Sequence, residues 1–172
     1  VKAPTIVNDN ALRIEWNEVV PRESLSYILG NPPFVGAKLM SEHQRLDLLA
    51  VAGKMKGAGL LDFVCGWYLK AMHYVGDTGI RAAFVSTNSI TQGEQVGVLW
   101  SELLPRDFHI RFAHRTFRWN NEARGMAAVH CVIIGFGRED VKPKRLFDYE
   151  NIGGEPHERL AANINPYLVD AP

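Results

Sequence analysis

The chain has 172 residues, of which 47% are hydrophobic and 22% charged; this is the composition of one globular domain with a buried core and excludes disorder and a coiled coil. Nineteen basic residues balance 19 acidic ones, so no global cationic field marks an autonomous nucleic-acid binder, and any polyanion site has to be local. With no run of 18 apolar residues and no basic-then-apolar leader pattern, neither a membrane nor a secreted protein is expected. Cys65 and Cys131 both lie in apolar stretches and read as buried free thiols of a reducing cytoplasm.

In chain order, Thr5-Ile6-Val7 reads as a short strand, and Tyr27-Ile28-Leu29 as a second one closed by Gly30-Asn31-Pro32-Pro33. Ser41 and Gln44 have capping-box spacing, which predicts a helix from there to Gly53. Apolar side chains at Leu60, Val64, Tyr68, Ala71 and Val75 recur at helical steps, predicting a helix over residues 60–75 that Gly76 stops. Asp62, near its start, is accounted for by capping and the helix dipole. Residues 80–85 read as the next strand. Thr91 and Glu94 repeat the capping-box spacing ahead of a face of Val96, Leu99, Trp100 and Leu103, ended by Pro105. Residues 109–113 and 127–136 read as strands joined by an irregular segment, 114–126, with no helical period, so this last pair is expected to be antiparallel. Phe108 and Phe112 read as core residues and His130 as a partly buried histidine; His109 and His114 lack the company that metal ligation needs.

Strands separated by amphipathic helices imply an α/β fold: a Rossmann-like sheet, mainly parallel with an antiparallel terminal strand pair, whose ligand site lies at the carboxyl ends of the strands. Residues 1–137 form that unit in this reading. Residues 138–172, with mixed charge and a polar glycine pair, read as an exit hairpin and a linker in which Asn165-Pro166-Tyr167 is a turn.

The sharpest chemical feature is Asn31-Pro32-Pro33-Phe34, directly after a strand. Two prolines remove two backbone donors and hold the preceding residues extended, so the tetrapeptide presents acceptors without competing N–H groups. The Asn31 side-chain oxygen and the Pro32 carbonyl can each accept from one N–H of an exocyclic amine, while Phe34 offers a ring on which a flat base stacks. The bland reading of the same residues is a plain X-Pro-Pro turn.

On these residues the chain resembles the adenine-specific DNA methyltransferases of the S-adenosylmethionine-dependent class I fold, whose signature is Asn-Pro-Pro followed by an aromatic residue. Asn10-Ala11-Leu12 resembles the family's cofactor-adenine motif, with Asn where Asp is commoner. Ala82-Ala83-Phe84-Val85-Ser86-Thr87-Asn88-Ser89 resembles the strand and loop that wall the target-base pocket, and the block from Phe117 to Phe136 resembles the eighth motif and its strand. The wording of these blocks is most similar to the MmeI-like branch, large bacterial fused restriction-modification enzymes. The resemblance implies S-adenosylmethionine as cofactor, held by Asn10, Ala11 and Asn31. It implies DNA as partner, a cytoplasmic bacterial location and catalysis by Asn31, Pro32, Pro33 and Phe34 on the N6 amino group of adenine. No counterpart of the glycine-rich first motif or the acidic ribose ligand is present, so the chain reads as the C-terminal half of the catalytic fold. A cofactor-binding half is then expected upstream and a DNA-recognition domain downstream.

The second half agrees from its own residues. Five arginines at 106, 111, 115, 118 and 124 face only Asp107 and Glu122, interleaved with aromatics. Arg115, Arg118, Arg124 and Asn88 are the expected DNA contacts. Phe117, ahead of Trp119, is the expected second stacking partner opposite Phe34. Two alternatives remain open at this stage: a methyltransferase for RNA or a protein glutamine amide, because the same planar amine is held, and a non-catalytic scaffold domain of the same fold.

Overall fold

The computed structural model describes residues 3–119 and 129–172. These residues form one six-stranded mixed sheet with helices packed on one face. Strand β1 (Tyr27–Gly30) lies parallel to β2 (Arg81–Thr87), whose alternation buries Ala82, Phe84 and Ser86. Strand β4 (Val129–Gly137) is inserted antiparallel between β2 and β3 (His109–Trp119). Strand β5 (Lys144–Asp148) then adds parallel to β3, and β6 (His157–Ala161) adds antiparallel to β5, giving the order β1-β2-β4-β3-β5-β6. Strands β1, β2, β3 and β5 therefore run one way and β4 and β6 the other: the α/β class, the prevailing strand direction and the antiparallel β3/β4 pair are those read from the sequence.

Helix α1 (Trp16–Val19) is a single turn. Helix α2 (Glu42–Ala52) begins at the expected capping box, with Ser41 and Gln44 satisfying each other's backbone N–H groups, and ends at Gly53. Helix α3 (Cys65–Val75) crosses the sheet, its Tyr68 ring stacked on Phe136 at 5.1 Å and edge-on to Phe84 at 5.2 Å. Helix α4 (Glu94–Leu103) adds Val96, Leu99, Trp100 and Leu103, all buried as its periodicity predicts. Each such side chain contributes roughly 1.5 to 3 kcal/mol on burial, so this face holds the sheet to its helices.

Several local expectations fail for identifiable reasons. Residues 5–7 are not a strand: Ile6 is 85% exposed, and three extended residues without a neighbouring strand have no ladder to join. The helix expected from residue 60 starts at Cys65, because Ala58–Leu60 closes as a 3-10 turn and the chain is extended at Leu61. Thr91 is not a cap. Its hydroxyl donates to the Asn88 carbonyl inside a 3-10 turn (Asn88–Thr91), and the cap position falls on Gly93 at φ 67°, a conformation suited to glycine. Residues 114–119 are not irregular but continue β3. Register shifts between Ile110 and Phe112 and between His114 and Phe117 break the two-residue alternation, which hides the strand. The remainder of the segment expected to be irregular, Arg124 included, lies outside the described residues. Phe108 is in the core, whereas Phe112 is half-buried on the sheet's other face, packed so closely on Gly135 that a Cβ there would lie 2.0 Å from its ring. His130 is exposed. Beyond Gly137 the β5–β6 hairpin extends the same sheet, and Leu146, Ala161, Ile164 and Leu168 join the same core. Asn165 forms the expected turn by accepting from the Tyr167 and Val169 N–H groups. Among the described residues no helix is long and apolar enough to cross a membrane.

Candidate functional site

Strand β1 ends at Gly30, opposite Phe84, and the parallel β2 runs on beside it to Thr87. The chain leaving Gly30 exposes Asn31, buries Pro32, exposes Pro33 and half-buries Phe34. Among the described residues no group hydrogen-bonds the Asn31 amide, so its Oδ1 is left to accept from a ligand. Ala11, Asn31, Pro32 and Pro33 share one cleft of about 530 Å³, whose apolar wall includes Trp67 and Phe84. The sequence motifs around residues 10 and 31 are thus brought together by the fold. The cleft suits a flat, largely apolar ligand that needs one or two polar contacts.

Asn10 does not line that cleft; it is held by Asp47, a residue with no role in the sequence reading. Asn10 Nδ2 donates to Asp47 Oδ2 at 2.8 Å, and Asn10 Oδ1 accepts from the Leu12 N–H at 3.0 Å. Both contacts agree on one orientation of the amide, which leaves a lone pair of Oδ1 for a further donor. Arg13 grips Asp47 with Nε at 2.7 Å and Nη2 at 3.2 Å. That hydrogen-bonded guanidinium holds the Asp47 carboxyl below the usual carboxylate range despite its burial.

The flank beyond Phe34 is pinned at several points. The Val35 carbonyl accepts from the Phe63 N–H at 2.9 Å, the Ala37 N–H donates to Asp62 Oδ1 at 2.8 Å, and the Ala37 carbonyl accepts from Arg45 at 2.7 Å. Asp62 is therefore not a helix cap: α3 has no side-chain cap, and the carboxylate is directed into loop contacts with residues 25 and more positions away. Next to this flank, Thr87 and Ser89 share a hydrogen bond of 2.9 Å on either side of the half-buried Asn88.

The expected stacking and DNA-contact residues lie on β3 and not in a loop. Thr87, Cys131 and Phe117 form one lateral row across β2, β4 and β3, which places Phe117 about 10 Å from Thr87 at usual strand spacing. One face of Phe117 is taken by Tyr149, stacked at 5.4 Å, and Trp119 lies at 6.1 Å. Tyr149 is fixed in turn by a 2.8 Å hydrogen bond to His114, whose ring stacks on Phe147 at 4.2 Å. Burial, then the charge of Arg145, keeps the His114 imidazole below its ordinary pKa, so near neutral pH it is an uncharged member of this aromatic row. Arg115 is paired with Asp148 at 2.9 Å, which Arg159 also reaches at 2.6 Å, whereas Arg118 is exposed with its backbone N–H bonded to the Ile152 carbonyl. Tyr149, Phe147 and Asp148 were not legible as site residues, since their role depends on β5 pairing with β3.

A family model described as the MmeI DNA-methyltransferase domain matches residues 1–148. Over 164 residues the chain is 43% identical to DNA methyltransferase A of Bacillus subtilis (strain 168), covering 94% of this chain and 18% of that protein. The solved structure of the Type IIL restriction-modification enzyme MmeI in complex with DNA superposes with a TM-score of 0.94 at 56% identity, covering 97% of this chain and 22% of that one. A modification subunit of a putative type I restriction enzyme from Vibrio vulnificus YJ016 superposes at 0.53 with 17% identity, covering 81% of this chain and 28% of that one; this likeness is one of fold alone. The chain therefore spans about a fifth of the length of its two close relatives.

Proposed function

The chain belongs to the family of MmeI DNA-methyltransferase domains, and on that premise we propose that it forms the target-base half of an enzyme that methylates the N6 amino group of adenine in DNA within a restriction-modification protein. The observation that carries the reading is the unengaged Asn31 amide at the carboxyl end of β1, followed by two prolines and Phe34, beside a cleft of nucleoside size.

The amine to be methylated lies inside the duplex, so the adenine has to be flipped out, at a cost of a few kcal/mol that stacking on Phe34 and on Phe117 or Trp119 offsets. The nitrogen of an aromatic amine is a poor nucleophile because its lone pair is delocalised into the ring. Two fixed acceptors, Asn31 Oδ1 and the Pro32 carbonyl, draw its N–H groups out of the ring plane and stabilise the positive charge that develops on nitrogen. Pro33 keeps the loop rigid and contributes no donor that would compete. S-adenosylmethionine, when bound, supplies the electrophilic methyl group. Ala11 and the backbone of Asn31 on the cleft, with the neighbouring Asn10 braced by Asp47, are the groups on this chain that suit its adenine end. We assign its glycine-rich loop and acidic ribose ligand to further residues of a full-length protein, with residues 138–172 leading toward a DNA-recognition domain and the whole acting in the bacterial cytoplasm. Exposed Arg118 and Arg115, half-buried Asn88, and Arg124, which lies outside the described residues, are the proposed DNA contacts; DNA is present in the MmeI complex that this chain resembles.

Asn31→Ala in the full-length protein tests the reading. Cofactor affinity is expected to stay within a few fold, while single-turnover methylation falls by about two to three orders of magnitude, the scale for losing one preorganised electrostatic partner. Equal loss of both would give Asn31 a structural role.

A further inference from the structure

We infer that Asp62 is a positioning residue for methyl transfer: it ties the loop carrying Asn31 and Phe34 to the loop that follows β2, and so keeps the amine acceptors and the stacking ring in register. The inference rests on the methyl-transfer reading of the Asn31 loop. Asp62 is only 7% exposed, and its carboxylate collects donors from three separate segments. Oδ1 accepts from the Ala37 N–H at 2.8 Å, three residues beyond Phe34. Oδ2 accepts from Ser89 Oγ at 2.6 Å, one residue beyond Asn88, and from Gln95 Nε2 in α4 at 3.1 Å. Gln95 closes the ring by accepting from the Asp62 N–H at 3.1 Å and donating to the Ser89 carbonyl at 3.0 Å. The neighbouring Phe63 N–H holds the Val35 carbonyl.

A carboxylate can only accept, and every contact here is a donor, so the orientation of the side chain is determined and both loops are drawn to one point. Among the described residues no lysine or arginine pairs with it. Burying an acid without a cation is costly, and an apolar side chain would fill the space at lower cost. What the acid provides, and an apolar group does not, is a fixed distance between the ends of β1 and β2. Those two ends carry Asn31 on one side and Asn88 on the other, and a displacement of about 1 Å at a reacting centre lowers a rate by about 100-fold.

The experiment uses the full-length protein with duplex DNA and S-adenosylmethionine, comparing the unchanged protein with Asp62→Asn, Asn31→Ala, the double variant and Ser89→Ala. Asn in place of Asp62 keeps the volume but, in either orientation of its amide, sets an N–H₂ against a donor, Gln95 Nε2 on one side or the Ala37 N–H on the other. Asp62→Asn is expected to lower the single-turnover transfer rate about 10- to 100-fold at saturating DNA and cofactor, measured below the melting transition, with cofactor affinity nearly unchanged and the melting temperature lowered by only a few degrees. Ser89→Ala, which removes one donor, is expected to give a smaller loss of the same kind. Because Asp62 acts through the loop that holds Asn31, the double variant is expected to be no slower than Asn31→Ala alone. Multiplying defects in the double variant, an unaffected rate in Asp62→Asn, or a rate loss that only follows lost cofactor affinity and melting temperature would each overturn the inference. Full activity in Asn31→Ala would instead remove the methyl-transfer reading beneath it.

Discussion

Changing Tyr68 to Phe removes one hydroxyl from the middle of the core and leaves its ring stacked between α3 and the sheet. The Tyr68 hydroxyl and Ser86 Oγ lie 2.9 Å apart, both fully buried, and each is the other's side-chain partner. Burial pushes the tyrosine hydroxyl well above its ordinary pKa, so it remains protonated and the pair is a neutral hydrogen bond. Either single change, Tyr68→Phe or Ser86→Ala, strands a buried polar group without water and is expected to cost about 1 to 3 kcal/mol. Removing both leaves no orphan, so the double variant is expected to lie within about 1 kcal/mol of the unchanged chain, giving a coupling of at least about 1 kcal/mol that grows with the single costs. For a chain of this length each kcal/mol shifts the melting temperature by about 2 to 4 °C. Urea unfolding of the four proteins, followed by circular dichroism at one protein concentration, measures the cycle. If the two single costs simply add in the double variant, the hydroxyl pair contributes no coupling and the account of this part of the core is wrong. The pair also bears on the site, because Ser86 leads directly into Thr87 and Asn88.

Asp47 has a folded-state pKa below the ordinary carboxylate value, so its contribution to stability is present above that value and is lost as pH falls through the depressed one. Asp47→Asn is therefore expected to lower the urea midpoint near neutral pH, by a difference that shrinks only as the pH is taken below the ordinary carboxylate value; a difference constant down to strongly acidic pH would refute the pairing with Arg13. In the full-length protein, Phe34→Ala and Phe117→Ala are expected to weaken binding of the flipped base by roughly 1 to 3 kcal/mol each, with a smaller defect on DNA whose target adenine is mismatched. Rescue by the mismatch in Trp119→Ala but not in Phe117→Ala would transfer the stacking role to Trp119. The 172-residue chain by itself is expected to bind S-adenosylmethionine weakly or not at all, since it has no glycine-rich loop to hold the far end of the ligand; micromolar binding in calorimetric titration would contradict this.

Features set by a few consecutive residues were determined by the sequence alone. The capping box of α2 needs only Ser41 and Gln44 three positions apart, and the acceptor character of the Asn31 loop follows from two prolines that lack N–H groups. The buried face of α4 follows from helical spacing in the same way. Other outcomes depend on neighbours distant in the chain. Thr91 has the letters of a cap but not the backbone angles, and residues 5–7 have the composition of a strand but no partner to pair with. Strand β3 reaches Trp119 because β4 lies alongside it, although two register shifts erase the alternation by which it would be read. Asp47 and Asp62 look like ordinary helix acids in the sequence, and only the tertiary structure brings them to Asn10 and Ala37, 37 and 25 positions away. A side chain's hydrogen-bond partners are chosen by the packing of whole elements, and that choice is decided by hydrophobic burial across the sheet, to which no local pattern around these acids has access.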